Sequence, residues 1–304
     1  MRSLTASTQR TILKQFVAKS PCQLGRVRSL EFALHDGGHT ASYRARWETC
    51  VDLSERNLGA PRHPWEIARA MFFISTTVRI VSQAAGPVDL LDLGAGDAWL
   101  AEGMLEALPP GCTITCWDIN YTDEDLTHED HAGLRRTRTQ PDRKFDLVLM
   151  LDVLEHIADD AEFLQSVADS MLKSGGRIVF SVPAHPRLFS SHDTELGHFR
   201  RYVPKAASTL LATQFEIVEE GSLFASLLLP RAVSVLLEKA RSVRSIPTTT
   251  CPDSPVGLGG WSAGPRLTQL LTKALKADVR IGEFARSKGA TLPGLTYFAV
   301  CAAP

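Results

Sequence analysis

No apolar run in the sequence is long enough to cross a bilayer, and its first residues lack the apolar core of a secretory signal. These absences argue against a membrane-spanning or exported protein and set the expectation of a cytoplasmic one. The six cysteines, Cys22, Cys50, Cys112, Cys116, Cys251 and Cys301, are scattered. None forms a CxxC pair, so they are read as reduced thiols rather than a disulfide framework. Neither charge is in excess: 33 Lys and Arg stand against 34 Asp and Glu, a formal net charge of -1. No global field therefore recruits nucleic acid, and no nucleic-acid partner is expected. There is no internal repeat and no low-complexity tract. What remains is an ordinary globular composition, 44% hydrophobic and 22% charged, over 304 residues. That suffices for one α/β domain with additions.

The most informative stretch runs from Val88 to Asp97, VDLLDLGAGD. The apolar run reads as a buried strand, and Gly94-Ala95-Gly96 as a tight turn where backbone can approach a ligand. Leu100, Met104, Leu105 and Leu108 then recur at helical spacing until Pro109-Pro110-Gly111. Strand, glycine turn and helix together form the entrance to a nucleotide-type site. A dinucleotide fold places Gly-x-Gly-x-x-Gly around a pyrophosphate, but Trp99 occupies the third glycine position. Asp92 and Asp97 flank the glycines and would repel a pyrophosphate. They suit a ligand bearing an ammonium and a sulfonium, such as S-adenosylmethionine (SAM).

Strand and helix alternate along the rest of the chain. Residues up to about 60 are expected to hold one or two helices, with a loop at Asp36-Gly37-Gly38. Pro64 suits a first helical turn, and Ile67, Met71, Ile74, Val78 and Val81 mark one helix face. Thr113–Ile119, Phe145–Leu151, Arg177–Val182, Phe215–Val218 and Tyr297–Cys301 read as strands. Leu164, Val167 and Met171 mark a helix expected to close at Gly175-Gly176. The pattern predicts a parallel-dominated sheet with helices on both faces. Leu223–Leu237 is mostly apolar, and Arg244–Pro265, rich in Pro, Gly, Ser and Thr, reads as a mobile loop. Leu267, Leu270, Leu271 and Leu275 form a further stripe.

Three places carry chemistry. Asp118 ends the second strand, 22 residues past Gly96, where a carboxylate can accept hydrogen bonds from ribose hydroxyls. Asp152, Glu155 and His156 follow the strand from Phe145, at the end of the sheet where ligands sit; His156 is a candidate proton acceptor. The densest cluster spans 183–202, with His185, His192, His198, Asp193, Arg187, Arg200, Arg201 and Tyr202. A histidine held by Asp193 could take a proton, and the arginines could fork onto a substrate anion. A solvated loop pairing its own charges is the bland alternative. His192, Asp193 and His198 could also ligate a metal, but no His-Glu-x-x-His or cysteine-pair spacing supports it, and none is expected.

Asp92-Leu93-Gly94-Ala95-Gly96, Asp118, and Phe145–Val148 through Leu154-Glu155-His156-Ile157 resemble the successive motifs of class I SAM-dependent methyltransferases. The resemblance covers roughly residues 61 to 304. It is strongest to bacterial methyltransferase-domain proteins carrying the string that stands here from Ser181 to Tyr202, with an upstream His63-x-Trp65-x-x-x-Arg69 and a segment like Leu292-Pro293-Gly294. The resemblance implies a Rossmann-like seven-stranded sheet whose last strand is antiparallel. It implies that Asp92 and the turn Gly94-Ala95-Gly96-Asp97 hold the methionine end of SAM. Asp118 would take the ribose, Ile119 would lie beside the adenine, and Leu151 and Asp152 would line the sulfonium. Two departures stand out. Ala98 fills the third small position of the glycine motif, tolerable unless the backbone there needs a positive φ. Arg136-Thr137-Arg138-Thr139 lacks the acid that often contacts the adenine amine.

The expected organisation is an N-terminal helical extension (1–60), a SAM-binding core (61–222), a helical cap with a mobile loop (223–291) and a last core strand (292–304). The expected activity is methyl transfer to an oxygen or nitrogen of a small-molecule, glycan or lipid-linked, or peptide natural-product acceptor. His156, or His192 oriented by Asp193, would be the base, with His198 in the same loop and Arg200, Arg201 and Tyr202 orienting the acceptor. The apolar 223–237 segment would be a buried cap, a lid or a membrane-surface contact. A SAM-binding protein that transfers no methyl, as a cyclase or a regulatory subunit, is the alternative class.

Overall fold

The computed structural model describes residues 62–127, 131–242, 261 and 263–304, and the backbone of 30–36 and 39–45. In chain order these form β1 (Leu30–Asp36), β2 (His39–Ala45), α1 (Pro64–Val81), β3 (Asp89–Leu93), α2 (Trp99–Ala107), β4 (Thr113–Trp117) and α3 (Asp123–Thr127). There follow β5 (Leu134–Thr137), β6 (Phe145–Leu151), α4 (Asp160–Ser170), β7 (Leu172–Pro183), α5 (Ser191–Glu195) and α6 (Pro204–Leu211). The series ends with β8 (Glu216–Leu223), α7 (Leu228–Ser242), α8 (Pro265–Ser287) and β9 (Thr296–Ala302).

Seven strands make one sheet in the order β5-β4-β3-β6-β7-β9-β8. The β3, β4, β5, β6 and β7 pairings are parallel, and β9 runs antiparallel between β7 and β8. The central strands are apolar on both faces because both are covered: Leu90, Leu91, Val148, Leu149 and Met150 are fully buried. One core layer packs Phe163, Leu164, Val167 and Phe180 on one face. The other packs Phe72, Phe73, Met104 and Phe298 on the opposite face. This is the Rossmann-like α/β fold expected of the sequence.

Several local expectations change. Within 1–60 the described backbone forms a two-stranded antiparallel hairpin, with Asp36 opposite His39, and the helices expected there lie outside the described residues. Leu30, Phe32 and Leu34 recur every second residue, the period of a strand, around a Gly-Gly pair suited to a two-residue turn. The rest of that segment, and residues 244–260 of the expected mobile loop, lie outside the described residues. Gly175-Gly176 is no helix cap: α4 ends at Ser170, and both glycines lie in β7. There a Cβ on Gly176 would lie 2.8 Å from the Lys173 carbonyl and 3.0 Å from that of Asp146. The buried face of α1 takes in Ala68, Phe72, Phe73, Thr76 and Thr77 beside the expected Val81, with Ile74 and Val78 packed against the core, while Met71 is exposed. The cap is not buried: α7 exposes Leu229, Val233, Leu236 and Leu237 and buries Val235.

Candidate cofactor and acceptor site

The C-terminal ends of β3, β4, β6 and β7 converge where the strand order reverses beside β3, the place where such sheets bind ligands. The turn after β3 is closed by Gly94 N–H donating to the Trp117 carbonyl at 2.8 Å. Gly94 has φ +73, and a Cβ there would meet Val153 Cγ2 at 2.6 Å; Gly96 has φ +54 and open space before it. Ala98 has φ 63 and is fully buried. The backbone does need a positive φ at this position, so alanine sits there under strain of about 1–2 kcal/mol.

Four carboxylates surround this turn. Asp92 is 3% exposed. Burial pushes its carboxyl up to about 7, Arg69 opposing and Asp118 reinforcing the rise. Asp118, also buried, accepts Gly96 N–H at 2.9 Å and Asn120 N–H at 2.8 Å. Ile119, partly buried, packs against the core beside it. Asp97 accepts Trp99 N–H at 3.2 Å and is ion-paired to Arg62, whose guanidinium lies 4.7 Å from the centre of the Trp99 ring. Asp152 follows the buried Leu151 at the tip of β6, with φ 58. It caps no helix; it accepts Ser181 Oγ–H at 2.8 Å and pairs with Arg69 at 2.7 Å.

Arg69 is the residue to which the sequence reading assigned no role. It projects from α1 between the rings of Trp65 and Phe73, at 5.6 and 5.2 Å, and brings a cation to the site floor. The His63-x-Trp65-x-x-x-Arg69 spacing was the available signal. His63 caps α1 in a capping box with Glu66, which fixes where Arg69 emerges. Tyr121, 2% exposed, has a hydroxyl with no partner among the described residues and feels the charges of Asp92 and Asp118. A buried donor of this kind is costly unless a ligand completes it.

The 183–202 loop is organised differently from its expectation. Asp193 is fully buried and holds His198, not His192: His198 Nδ1 lies 3.1 Å away. Arg201 Nε donates to Asp193 at 2.6 Å and Arg231, from α7, at 2.9 Å. Burial pushes its carboxyl up, but the bond from His198, the charge and bond of Arg201 and the Ser190 N–H outweigh this and hold it well below the usual range. His192 lies in α5, its pKa lowered by burial and then by Arg231. Arg200 and Tyr202 both bond Asp160, each at 2.8 Å. Arg200, Arg201 and Tyr202 thus brace the loop against protein carboxylates. The ring of His198 meets that of His156 edge-on at 4.7 Å. Among the described residues, the ligand-type atoms that gather are those of Glu155, His156 and His198, within 4.8 Å of one another, rather than His192, Asp193 and His198.

The family model described as a methyltransferase domain matches residues 62–219, more than half of the chain. The chain belongs to the methyltransferase-domain family. The cofactor of this methyltransferase domain is SAM. The chain is 24% identical over 200 residues to the mitochondrial ubiquinone biosynthesis O-methyltransferase of Arabidopsis thaliana, covering 59% of this chain and 56% of that one. It is 30% identical over 128 residues to the ubiquinone biosynthesis O-methyltransferase of Caulobacter vibrioides, covering 38% and 49%. The chain thus spans about half the length of the curated relatives it matches. Among solved structures it resembles N-methyltransferase NodS of Bradyrhizobium japonicum, 15% identical with a TM-score of 0.43, over 84% of this chain and all of that one. It also resembles a sarcosine dimethylglycine methyltransferase of Galdieria sulphuraria, 12% identical with a TM-score of 0.46, over 77% and 85%.

Proposed function

We propose that this protein methylates a hydroxyl of a small or lipid-linked acceptor, with SAM as donor. The observation that carries the reading is the junction of two halves at one end of the sheet. One is an acidic floor with a partly buried cation, Asp92, Asp118, Asp152 and Arg69. The other is a histidine pair, His156 and His198, anchored by Asp193. The oxygen preference is supported by the names of the curated relatives, which are O-methyltransferases.

The residues present fit the cofactor. Asp92 would hold its ammonium, Asp118 its ribose hydroxyls and Arg69 its carboxylate, and the open space before Gly96 admits a ligand against the backbone. The Tyr121 hydroxyl would gain a partner. When bound, the cofactor supplies an already activated methyl group. The protein then has two tasks. It positions the acceptor oxygen, which can contribute several kcal/mol of the barrier. It also removes the acceptor's proton. His156, five residues beyond the end of β6, would take that proton, with His198 held against it by Asp193.

The test is incubation with labelled SAM and a panel of phenols, catechols and lipid-linked alcohols, read by mass spectrometry of the acceptor. Label on an acceptor oxygen supports the reading. S-adenosylhomocysteine accumulating with no methylated acceptor in the panel, or label on nitrogen, refutes it.

A further inference from the structure

The outer face of α8 takes no part in the site. Leu267, Leu270, Ala274, Ala277, Ile281 and Phe284 recur at alternating steps of three and four, which sets them in one line along the helix. The four large ones are exposed at 47%, 63%, 59% and 64%. The helix anchors itself with other residues, Leu275 and Val279, which are 8% and 7% exposed. Of the stripe read in the sequence, Leu275 thus packs into the core while Leu267 and Leu270 point away from it.

Its charge is one-sided. Arg266, Lys273 and Arg280 recur every seven residues along one flank of the stripe, all exposed, and none makes an ion pair among the described residues. Lys288 adds a cation 5.7 Å from the centre of the Phe284 ring. The two acids of α8 lie off this basic flank. Asp278 accepts Ser226 N–H at 2.9 Å, and Glu283 stands beside Arg286, which turns inward over Phe298. The outward surface is therefore apolar and cationic, the combination that lies flat in the headgroup region of an anionic bilayer. A second copy suits it less. Antiparallel pairing on the stripe would set the basic row against itself, and parallel pairing would match only Lys273 with Asp278. No helix among the described residues is long and apolar enough to cross a membrane, so the contact is peripheral. The exposed stripe of α7 lies close by in the fold, since Ser226, just before α7, is tied to Asp278.

We propose that α8 docks the protein on an anionic lipid surface through its Leu267–Phe284 stripe and its Arg266, Lys273, Arg280 row. The full chain is tested by co-sedimentation with vesicles of phosphatidylglycerol and phosphatidylcholine, and with phosphatidylcholine alone. Binding should favour the anionic vesicles several-fold and weaken in high salt. K273E with R280E, and separately I281S with F284S, should each cut the bound fraction several-fold. Both variants should keep the melting temperature and calorimetric SAM affinity, since neither touches the cofactor site. Absence of binding, equal binding to neutral vesicles, or binding unchanged by both variants overturns the proposal. So does a concentration-dependent dimer in sedimentation velocity that either variant abolishes, which would assign the stripe to a second copy.

Discussion

Arg69 and Asp152 meet at 2.7 Å across the floor of the site, joining α1 to the tip of β6. The carboxylate also receives Ser181 from β7, so one ion pair ties three elements together. Removing the cation leaves Asp152 without its ion pair and Asp92 facing the charge of Asp118 without compensation. Arg69→Ala should weaken SAM binding at least tenfold by calorimetry, about 1.4 kcal/mol or more. Arg69→Lys should recover part of that, because a point charge keeps the Coulomb attraction but loses the guanidinium fork. Equal affinity for wild type and Arg69→Ala would remove Arg69 from the cofactor site.

Asp92 makes binding depend on pH in a definite direction. Its carboxyl sits at about 7 in the cofactor-free protein. Below that value it is protonated, and an ammonium group must displace the proton to bind. Affinity should therefore rise between pH 6 and 8 and then level off, a trend calorimetry in matched buffers can follow. Stability runs the opposite way. A carboxyl raised on folding binds a proton that the unfolded chain has released, so the cofactor-free protein should lose stability as pH climbs through this window. Asp92→Asn should abolish the pH dependence of binding along with most of the affinity. It should also raise the melting temperature at pH 8.

Asp193 should behave as a structural keystone. Asp193→Asn removes the carboxylate that Arg201 and Arg231 share in a buried site, a loss on the order of 3–5 kcal/mol, visible in urea denaturation. Because its pKa is depressed, its contribution is full above about pH 4 and disappears as pH falls further. His198→Ala should cost far less stability. It should lower kcat while leaving SAM affinity near wild type, since the ring meets His156 rather than the cofactor floor. A His198→Ala enzyme with unchanged kcat would separate the histidine pair from catalysis.

Gly94→Ala tests the turn itself. The new methyl would enter the space of Val153 at 2.6 Å and sit at φ +73. The two penalties together amount to roughly 2–5 kcal/mol. Val153→Ala in the same chain should relieve the clash but not the backbone strain. The double variant should then be less destabilised than the sum of the two single variants, a coupling that thermal denaturation can resolve.

The sheet centre and the glycine turn were readable because their causes are local. Phe145–Leu151 is an apolar run that burial on both faces demands, and Asp92, Asp118 and Asp152 sit where strands end. β5 was missed because Leu134-Arg135-Arg136-Thr137 is short and mostly polar, and it is a strand only because β4 offers an edge. The α1 face was read only in part: Val81 is buried and Ile74 and Val78 pack against the core, but Thr76 and Thr77 are buried too, while Met71, apolar by type, is 42% exposed. Arg69 escaped a role because its partners are 83 and 112 residues away, at Asp152 and Ser181. The pairing of Asp193 with His198 rather than His192 depends on how α5 turns, which no spacing rule specifies.

The position of β9 has a consequence for the timing of synthesis. Thr296–Ala302 pairs with β7 on one side and β8 on the other, and among the described residues β8 has no other neighbour in the sheet. Until residue 302 has left the ribosome, β7 keeps an open edge and β8 has nowhere to dock. Nearly the whole core is thus translated before the sheet can close, and the apolar surfaces of Val179 and Phe180 must be shielded meanwhile. A nascent chain of this kind is a natural client for chaperones.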